Sequence, residues 1–258
     1  VMKGLEVFGN PSSLHRAGLD AELLVSDARE IIADALGVTP DEVYFTSGAT
    51  ESNNTAIFGA YKAHGKRKKR VVISSVEHPA VKNPAQELED MGCEVIRISP
   101  DENGEINARD IFAAVNEDTF LVSCMLVNNE NGYILPVEKG FSMIKKKYPQ
   151  VLTHCDCVQG FMKIPVKAKK LNADMISLSG HKIYAPKGIG ALYVKKGLRL
   201  PPLTFGGGQE RGMRPGTEAV PNIAAFAKAC EIRMAHFDED YAHVQELADY
   251  LKQQVAAE

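Results

Sequence analysis

The segment SLSGHKIYAPKGIG, residues 177–190, places two lysines among glycines directly after an apolar stretch. Most lysines are solvated, but a lysine buried near the end of a strand can have a lowered pKa and act as a Schiff-base amine. Lys182 stands in that position. Lys187 is an alternative phosphate contact, although the nearby Gly-Ile-Gly is not specific and no GxxxxGK motif is present.

An acidic candidate, Asp156, follows the apolar segment VLTHC. A carboxylate buried beside a ligand needs a cationic or hydrogen-bonding partner to remain charged, and a protonated pyridine nitrogen is one such partner. The alternative is a structural Asp that caps the next turn. The run His154 to Cys157 also suggests zinc, but strand residues alternate faces and a second Cys/His cluster at metal-ligand spacing is missing. We therefore predict no metal site.

The motif SGATE, residues 47–51, follows a short β-branched and aromatic run and precedes a helical pattern. Backbone N–H groups and the Thr50 hydroxyl at a helix N-terminus attract phosphate. A simple N-cap is the alternative, because hydroxyl residues start helices whatever the function of the protein. The motif by itself leaves both interpretations open.

Hydrophobic periodicity predicts an alternation of strands and helices that positions these groups. Strands are predicted at residues 43–45, 71–74, 94–98, 120–127, 151–155, 175–179 and 191–194, and helices end near residues 36, 63, 91, 115 and 147. This order predicts an α/β domain with a mostly parallel central sheet and helices on both faces. Ligands bind beyond the carboxyl ends of such strands, which is where the polar segments fall.

The last segment, residues 222–258, has apolar residues at near-helical spacing. We predict one long helix here, following a domain of residues 1–221 and leading to a second, smaller domain. The chain opens in a loop-like segment and ends in a helical pattern without a Gly or Pro terminator, so we expect a fragment of a longer protein.

The bulk composition excludes few classes of protein. The 258 residues are 45% hydrophobic and 24% charged with a net charge of -3, which gives no reason to expect a nucleic-acid or membrane partner. The basic run 66–70 is predicted to be a solvated connector, with a nucleic-acid patch as the alternative. Five cysteines in mostly apolar segments predict reduced thiols and a cytoplasmic protein. A signal peptide or spanning segment is not predicted.

Seven motifs in order carry a resemblance over residues 8–227. SGHKIYAPKGIGALY resembles the lysine segment of class V aminotransferases, which bind pyridoxal 5'-phosphate. The chain is more narrowly similar to the cysteine desulfurases of iron–sulfur cluster assembly and nitrogen fixation, through FGNPSSLHRAG, FTSGATESNN, EHPAV, VNNENG, HCDCVQ and GGGQERGMRPGTEAVPN. Several ordered motifs are far more specific than one. The resemblance implies a fold-type-I transferase domain.

The resemblance implies a role for each matching residue. Lys182 is the Schiff-base lysine and later the proton shuttle at the substrate α-carbon, and Asp156 keeps the pyridine nitrogen protonated. His78 stacks on the cofactor ring, and the Gln159 amide contacts its phenolic oxygen. The other implied contacts are phosphate ligands at Ala49, Thr50, Ser179 and His181, a ring and substrate neighbour at Asn129, and a phosphate ligand contributed across a homodimer interface at Thr217.

The implied reaction removes sulfur from L-cysteine and leaves alanine and an enzyme persulfide, destined for an iron–sulfur scaffold or another sulfur-acceptor protein. The family's nucleophilic cysteine lies in a mobile loop that has no match here, and neither the opening strand nor the substrate-binding arginine is found. Cys155 and Cys157 are interpreted as packing residues. We therefore expect this chain alone to bind cofactor without turnover. The alternatives are a selenocysteine lyase, an aminotransferase, a catalytically silent scaffold or a nucleic-acid binder.

Overall fold

Seven strands form one sheet in the computed structural model, which describes residues 1–256 apart from the side chain of Lys3. The sheet order is β1-β7-β6-β5-β4-β2-β3. Strand β7 is antiparallel to both of its neighbours, and the other pairs are parallel. The strands are β1 Val43–Thr46, β2 Arg70–Ser74, β3 Glu94–Ile98, β4 Thr119–Ser123, β5 Leu152–Asp156, β6 Met175–Ser179 and β7 Gly190–Val194. The predicted mostly parallel sheet is confirmed.

The helices begin and end where the local sequence dictates. Helix α2 stops at Gly37, which adopts the left-handed conformation at φ 69°. Helix α4 starts at Pro79 because the preceding His78 accepts a hydrogen bond from the backbone of Ala80. The helices are α1 Met2–Leu5, α2 Arg16–Leu36, α3 Ala49–His64, α4 Pro79–Asp90, α5 Ala108–Ala113, α6 Val137–Lys147, α7 Ala168–Leu171, α8 Val220–Ala235 and α9 Phe237–Ala256.

Helices cover both faces of the sheet. Val71 and Ile73 of β2 belong to one apolar cluster with buried residues of α3 and α4. Val72 lies on the opposite face, in a second cluster with residues of α2, α5, α6 and α8. Strand side chains alternate, so each buried strand contributes to both clusters. The predicted covering of the sheet by helices is confirmed.

The C-terminal segment differs from the single helix predicted over 222–258. The structure has two helices, α8 and α9, separated by a break at His236. Ile223 and Phe226 of α8 are buried in the core, whereas α9 has no buried residue within its described length. Among the helices of residues 1–256, none is both long and apolar enough to cross a membrane.

The topology brings the predicted polar segments to one edge of the sheet. Strands β2, β4, β5 and β6 are parallel, so their carboxyl ends lie together. Because β7 is antiparallel, the residues that precede it return to the same edge. Gly190 of β7 packs closely there, since a Cβ at this position would lie 2.7 Å from the Cα of Gly48. Gly48 itself has φ 152°, which favours glycine.

Candidate active site

A cavity of about 500 Å³ lies at this edge. Its volume suits a cofactor-sized ligand. Nine of the ten residues that the sequence predicts for the site line the cavity: Ala49, Thr50, His78, Asn129, Asp156, Gln159, Ser179, His181 and Lys182. Thr217 is exposed and lies outside the cavity wall. The parallel strands thus bring together residues that are up to 133 positions apart in sequence (Ala49 to Lys182).

Asp156 ends β5 and is 5% exposed. Its two carboxylate oxygens accept hydrogen bonds from Asn53 Nδ2 at 2.7 Å and from the backbone N–H of Val158 at 3.0 Å. Burial raises the pKa of Asp156, while these hydrogen bonds and the nearby His78 lower it. A buried carboxylate that keeps free lone pairs toward a cavity favours a cationic N–H group in that cavity.

Two lysines line the cavity. Lys182 lies in the 3₁₀ turn Gly180–Ile183 directly after β6 and is partly buried, whereas Lys187 is exposed in the loop before β7. The pKa of His181 is lowered by burial and then by the charges of both lysines. This part of the cavity is therefore cationic, which suits an anionic ligand.

The N-terminus of α3 opens into the same cavity. The N-cap is Gly48, so no side chain caps the helix, and Ala49 and Thr50 occupy its first turn in the wall of the cavity. Glu51 is turned to other partners: its carboxylate accepts from the Ser47 backbone at 2.9 Å and from Arg214 Nε at 2.8 Å. The start of α3 therefore lies in the cavity wall without a side-chain cap, an arrangement that suits an anionic group such as phosphate.

His78 caps α4 and contributes its ring to the cavity wall. Its Nδ1 accepts from the Ala80 backbone N–H at 3.1 Å. The neutral ring therefore carries its proton on Nε2, because an acceptor nitrogen of imidazole is unprotonated. Capping fixes the ring through a local contact that the EHPA sequence encodes.

The run His154 to Cys157 does not form a zinc site. His154 is completely buried between Ser123 Oγ, 2.7 Å from Nδ1, and Ser177 Oγ, 2.9 Å from Nε2. Burial lowers the pKa of His154 to about 3, so the ring is neutral. Residues 1–256 contain no group of three His, Cys, Asp or Glu side chains arranged for a metal ion. The two buried hydrogen bonds of His154 favour a core-packing role for this run over the zinc alternative.

All five cysteines are free and buried: Cys93, Cys124, Cys155, Cys157 and Cys230. Burial raises the pKa of Cys93 and of Cys230, the latter to about 12, and raises that of Cys124 and Cys155 as well. A nucleophilic thiol must be exposed and partly ionised. None of these five thiols is exposed, and Cys155 and Cys157 lie in the apolar core, as their packing interpretation predicts.

The sequence analysis missed three residues that support the site. Asn53 is fully buried on α3, bonds Asp156, and keeps its Oδ1 without a partner within the described residues. Met125 lines the cavity after β4. Glu77, beside His78, is 1% exposed and accepts a hydrogen bond from the Met125 backbone N–H at 2.7 Å. A carboxyl next to a candidate histidine was the available signal for Glu77, whereas Asn53 was hidden within an ordinary helix.

Glu77 makes the stability of the fold depend on pH. Burial raises its pKa to about 8 from an ordinary 4.5, so the folded chain holds a proton that the unfolded chain releases. Stability therefore falls as pH rises from 4.5 to 8. We expect Glu77→Gln to remove this loss, which is about 4 kcal/mol over that interval for a pKa raised to about 8. Urea unfolding at pH 5 and pH 8 measures the difference.

The matched control for this experiment is Glu102→Gln, which changes an exposed carboxyl. It should follow the wild-type pH dependence. Parallel pH profiles for wild type and Glu77→Gln would show that Glu77 titrates as an ordinary carboxyl and would refute the assignment of a buried proton.

A mostly parallel α/β sheet with a lysine, a buried aspartate and a helix N-terminus at one edge defines a domain suited to a phosphorylated aldehyde cofactor. The sequence model of the family described as Aminotransferase class-V matches residues 4–257. The chain belongs to the class V aminotransferases, a family that depends on pyridoxal 5'-phosphate.

Curated relatives narrow the resemblance. The chain is 42% identical over 250 residues to cysteine desulfurase IscS of Dictyoglomus turgidum, an alignment of 97% of this chain and 63% of that protein. It is 46% identical to a NifS/IcsS protein homolog of Lactobacillus delbrueckii subsp. bulgaricus, over 95% of this chain and 65% of the relative. The predicted similarity to cysteine desulfurases is confirmed. The chain spans slightly less than two thirds of the length of these relatives.

Solved structures agree with the sequence relatives. A NifS-like protein superposes with a TM-score of 0.94 at 41% identity, covering 98% of this chain and 69% of that one. A structure described as SspA in complex with cysteine has a TM-score of 0.84 at 40% identity, over 90% of this chain and 69% of that one. The fold and the family are therefore supported by independent comparisons.

Proposed function

We propose that this chain is the pyridoxal-phosphate-binding part of a cysteine desulfurase. The observation that carries the proposal is that Asp156, at the end of β5, and Lys182, after the adjacent strand β6, line one cavity with the uncapped start of α3. This cofactor requires an amine to attach it, an acid beside its ring nitrogen and a binding site for its phosphate, and these three groups could supply them. The similarity to proteins named cysteine desulfurase supports the choice of reaction.

Each of the chain's own groups has a separate task in this proposal. Pyridoxal phosphate supplies an electron sink for bond changes at the amino acid. Asp156 would hold a protonated ring nitrogen, and Lys182 would attach the cofactor covalently and move the proton at the substrate α-carbon. The N–H groups of Ala49 and Thr50 bind the phosphate, together with Ser179 and His181, while Asn129 borders the ring and the substrate.

The proposed substrate is L-cysteine, supported by the solved relative described as a complex with cysteine. The thiol that receives the sulfur is not one of the five cysteines of this sequence, since all five are buried. Desulfuration of cysteine by a thiol gives alanine and a persulfide, whose sulfur we propose is passed to an iron–sulfur scaffold or another acceptor protein. We also propose a reducing, cytoplasmic compartment.

We propose a homodimer in which Thr217 reaches the phosphate of the other subunit. Thr217 is exposed and does not line the cavity of its own chain. If Thr217 binds the cofactor phosphate, it must therefore bind the phosphate in the cavity of the other subunit. Sedimentation of the cofactor-loaded chain tests the dimer directly.

The test of cofactor binding is spectroscopic. The purified chain, loaded with pyridoxal phosphate, is expected to absorb visible light and, after borohydride reduction, to retain the cofactor on the peptide that contains Lys182. Lys187→Met is the matched control, because Lys187 also lines the cavity. It should keep the covalent adduct. A colourless protein that cannot be loaded, or an adduct on Lys187, would contradict the proposal.

The substrate and products distinguish the proposed desulfurase activity from the two alternative enzyme activities. With added thiol, a desulfurase releases alanine and sulfide from L-cysteine. A selenocysteine lyase releases selenide from selenocysteine instead, and an aminotransferase forms a keto acid. Nucleic-acid binding has weaker support, because Arg70 of the basic run is paired with the Glu94 carboxylate and Lys68 donates to the backbone carbonyl of Glu117.

A further inference from the structure

Lys163 contacts Gln159 from outside the main cavity. Its Nζ donates to Gln159 Oε1 at 2.8 Å. Backbone hydrogen bonds from Gly160 and Phe161 to Cys157, and from Lys163 to Gly160, hold both residues on one tight turn after β5. Gln159 lines the main cavity and also a second cavity of about 370 Å³, which Lys163 lines as well. Gln159 thus separates the two spaces.

The contact decides which end of the Gln159 amide meets Lys163. An ammonium group is a donor only, so the amide oxygen must face Lys163. The amide NH₂ group is then the end available to the main cavity. Without Lys163 the two ends of the amide are nearly equivalent in shape, and the orientation is free to reverse.

We propose that Lys163 is a positioning residue that orients the Gln159 amide so that its NH₂ group donates a hydrogen bond to an anionic ring oxygen of the ligand. This inference rests on the proposed function, since the phenolic oxygen of pyridoxal phosphate is that acceptor. A reversed amide would present its own oxygen to the ligand oxygen and repel it. Lys163 therefore selects a ligand with an acceptor, not a donor, at this position.

Lys163 is partly buried among other cationic and aromatic side chains, unlike an ordinary surface lysine. The pKa of Lys163 is lowered by burial and then by the charges of Lys182 and Arg233. Arg233 is paired with Asp240 of α9, and Tyr184 and Tyr241 also line the second cavity. Lys163 has no carboxylate partner within the described residues, so the Gln159 oxygen is its defined acceptor.

The test is a double-mutant cycle read by the pH titration of the visible band of the loaded chain. Loss of the Gln159 donor leaves the ligand oxygen more basic, so its proton is held more tightly. We expect Lys163→Met to raise the titration midpoint by about one pH unit, a tenfold change in proton affinity. Lys163→Arg, which keeps a donor-only cation, should restore the wild-type midpoint. Lys169→Met, which removes an exposed ammonium, should have no effect.

The Gln159→Leu background separates positioning from charge. If Lys163 acts through Gln159, Lys163→Met has little further effect in that background. An equal shift in both backgrounds would mean that Lys163 acts by charge alone and would overturn the proposal, as would an unchanged midpoint in Lys163→Met. If Lys163→Met fails to fold by circular dichroism, Lys163→Leu, which also lacks a donor, replaces it with the same expected direction. A wild-type chain without any visible band would refute the proposed function instead.

Discussion

Lys182→Ala is expected to abolish the covalent bond between the chain and pyridoxal phosphate while leaving the fold intact. Lys182 is partly buried in a turn after β6, and the core beneath it is formed by other residues. Removing the amine removes both the covalent attachment and the base that moves the α-proton. Borohydride treatment followed by mass spectrometry should then find no cofactor on the chain.

The catalytic consequence can be measured with an assay that needs no acceptor thiol. Exchange of the α-hydrogen of L-alanine in D₂O reports the proton transfer alone. We expect Lys182→Ala to slow this exchange by about 10³-fold or more, the combined size expected for loss of a nucleophile and a general base. Lys187→Met should exchange at nearly the wild-type rate. A Lys182→Ala chain that exchanges normally would assign the chemistry to another group.

Asp156→Asn is expected to separate activity from stability. The carboxylate lies where a protonated ring nitrogen would be held, and an amide cannot supply its negative charge. We expect α-hydrogen exchange to slow by about 10²-fold or more, comparable to losing one preorganised electrostatic partner. The visible band should move, because the ring nitrogen loses its proton.

The folded chain should tolerate this substitution well. Burial raises the pKa of Asp156, so the charged form is costly in the absence of ligand. Asn53 Oδ1 is buried and has no partner among the described residues, and a rotated Asn53 amide can accept from the new NH₂ group. We expect thermal unfolding of the ligand-free variant at the wild-type temperature or above. Clear destabilisation would mean that the carboxylate supports the fold itself, and Asn53→Ala provides the control for loss of the shared hydrogen bond.

Local sequence was sufficient to predict most elements of this fold. Gly37 ends α2, and the His78-Pro79 pair begins α4, because caps and fixed φ angles act within a few residues. The C-terminal segment was predicted less well. Its apolar spacing continues through His236, but the helix breaks there, and of the two helices only α8 has buried residues within the described part of the chain. Periodicity does not tell a buried face from an exposed one.

Some residues of the candidate site could likewise be predicted from sequence, and others could not. Lys182, Asp156 and the start of α3 could be predicted because strand ends of a parallel sheet meet at one edge. Asn53, Glu77 and Lys163 were not predicted as site residues, since each acts through a contact that depends on how α3, β2 or the turn after β5 packs.

The amino-acid sequence by itself determined the α/β class, the family, and the lysine and aspartate that we propose for the chemistry. These follow from side-chain type, short spacing and the order of strands and helices. Only the tertiary structure decided that the five cysteines are buried, that His154 is a neutral core residue, and that Lys163 orients Gln159. Burial and hydrogen-bond direction depend on atoms brought together by folding, and the linear order of residues does not contain that information.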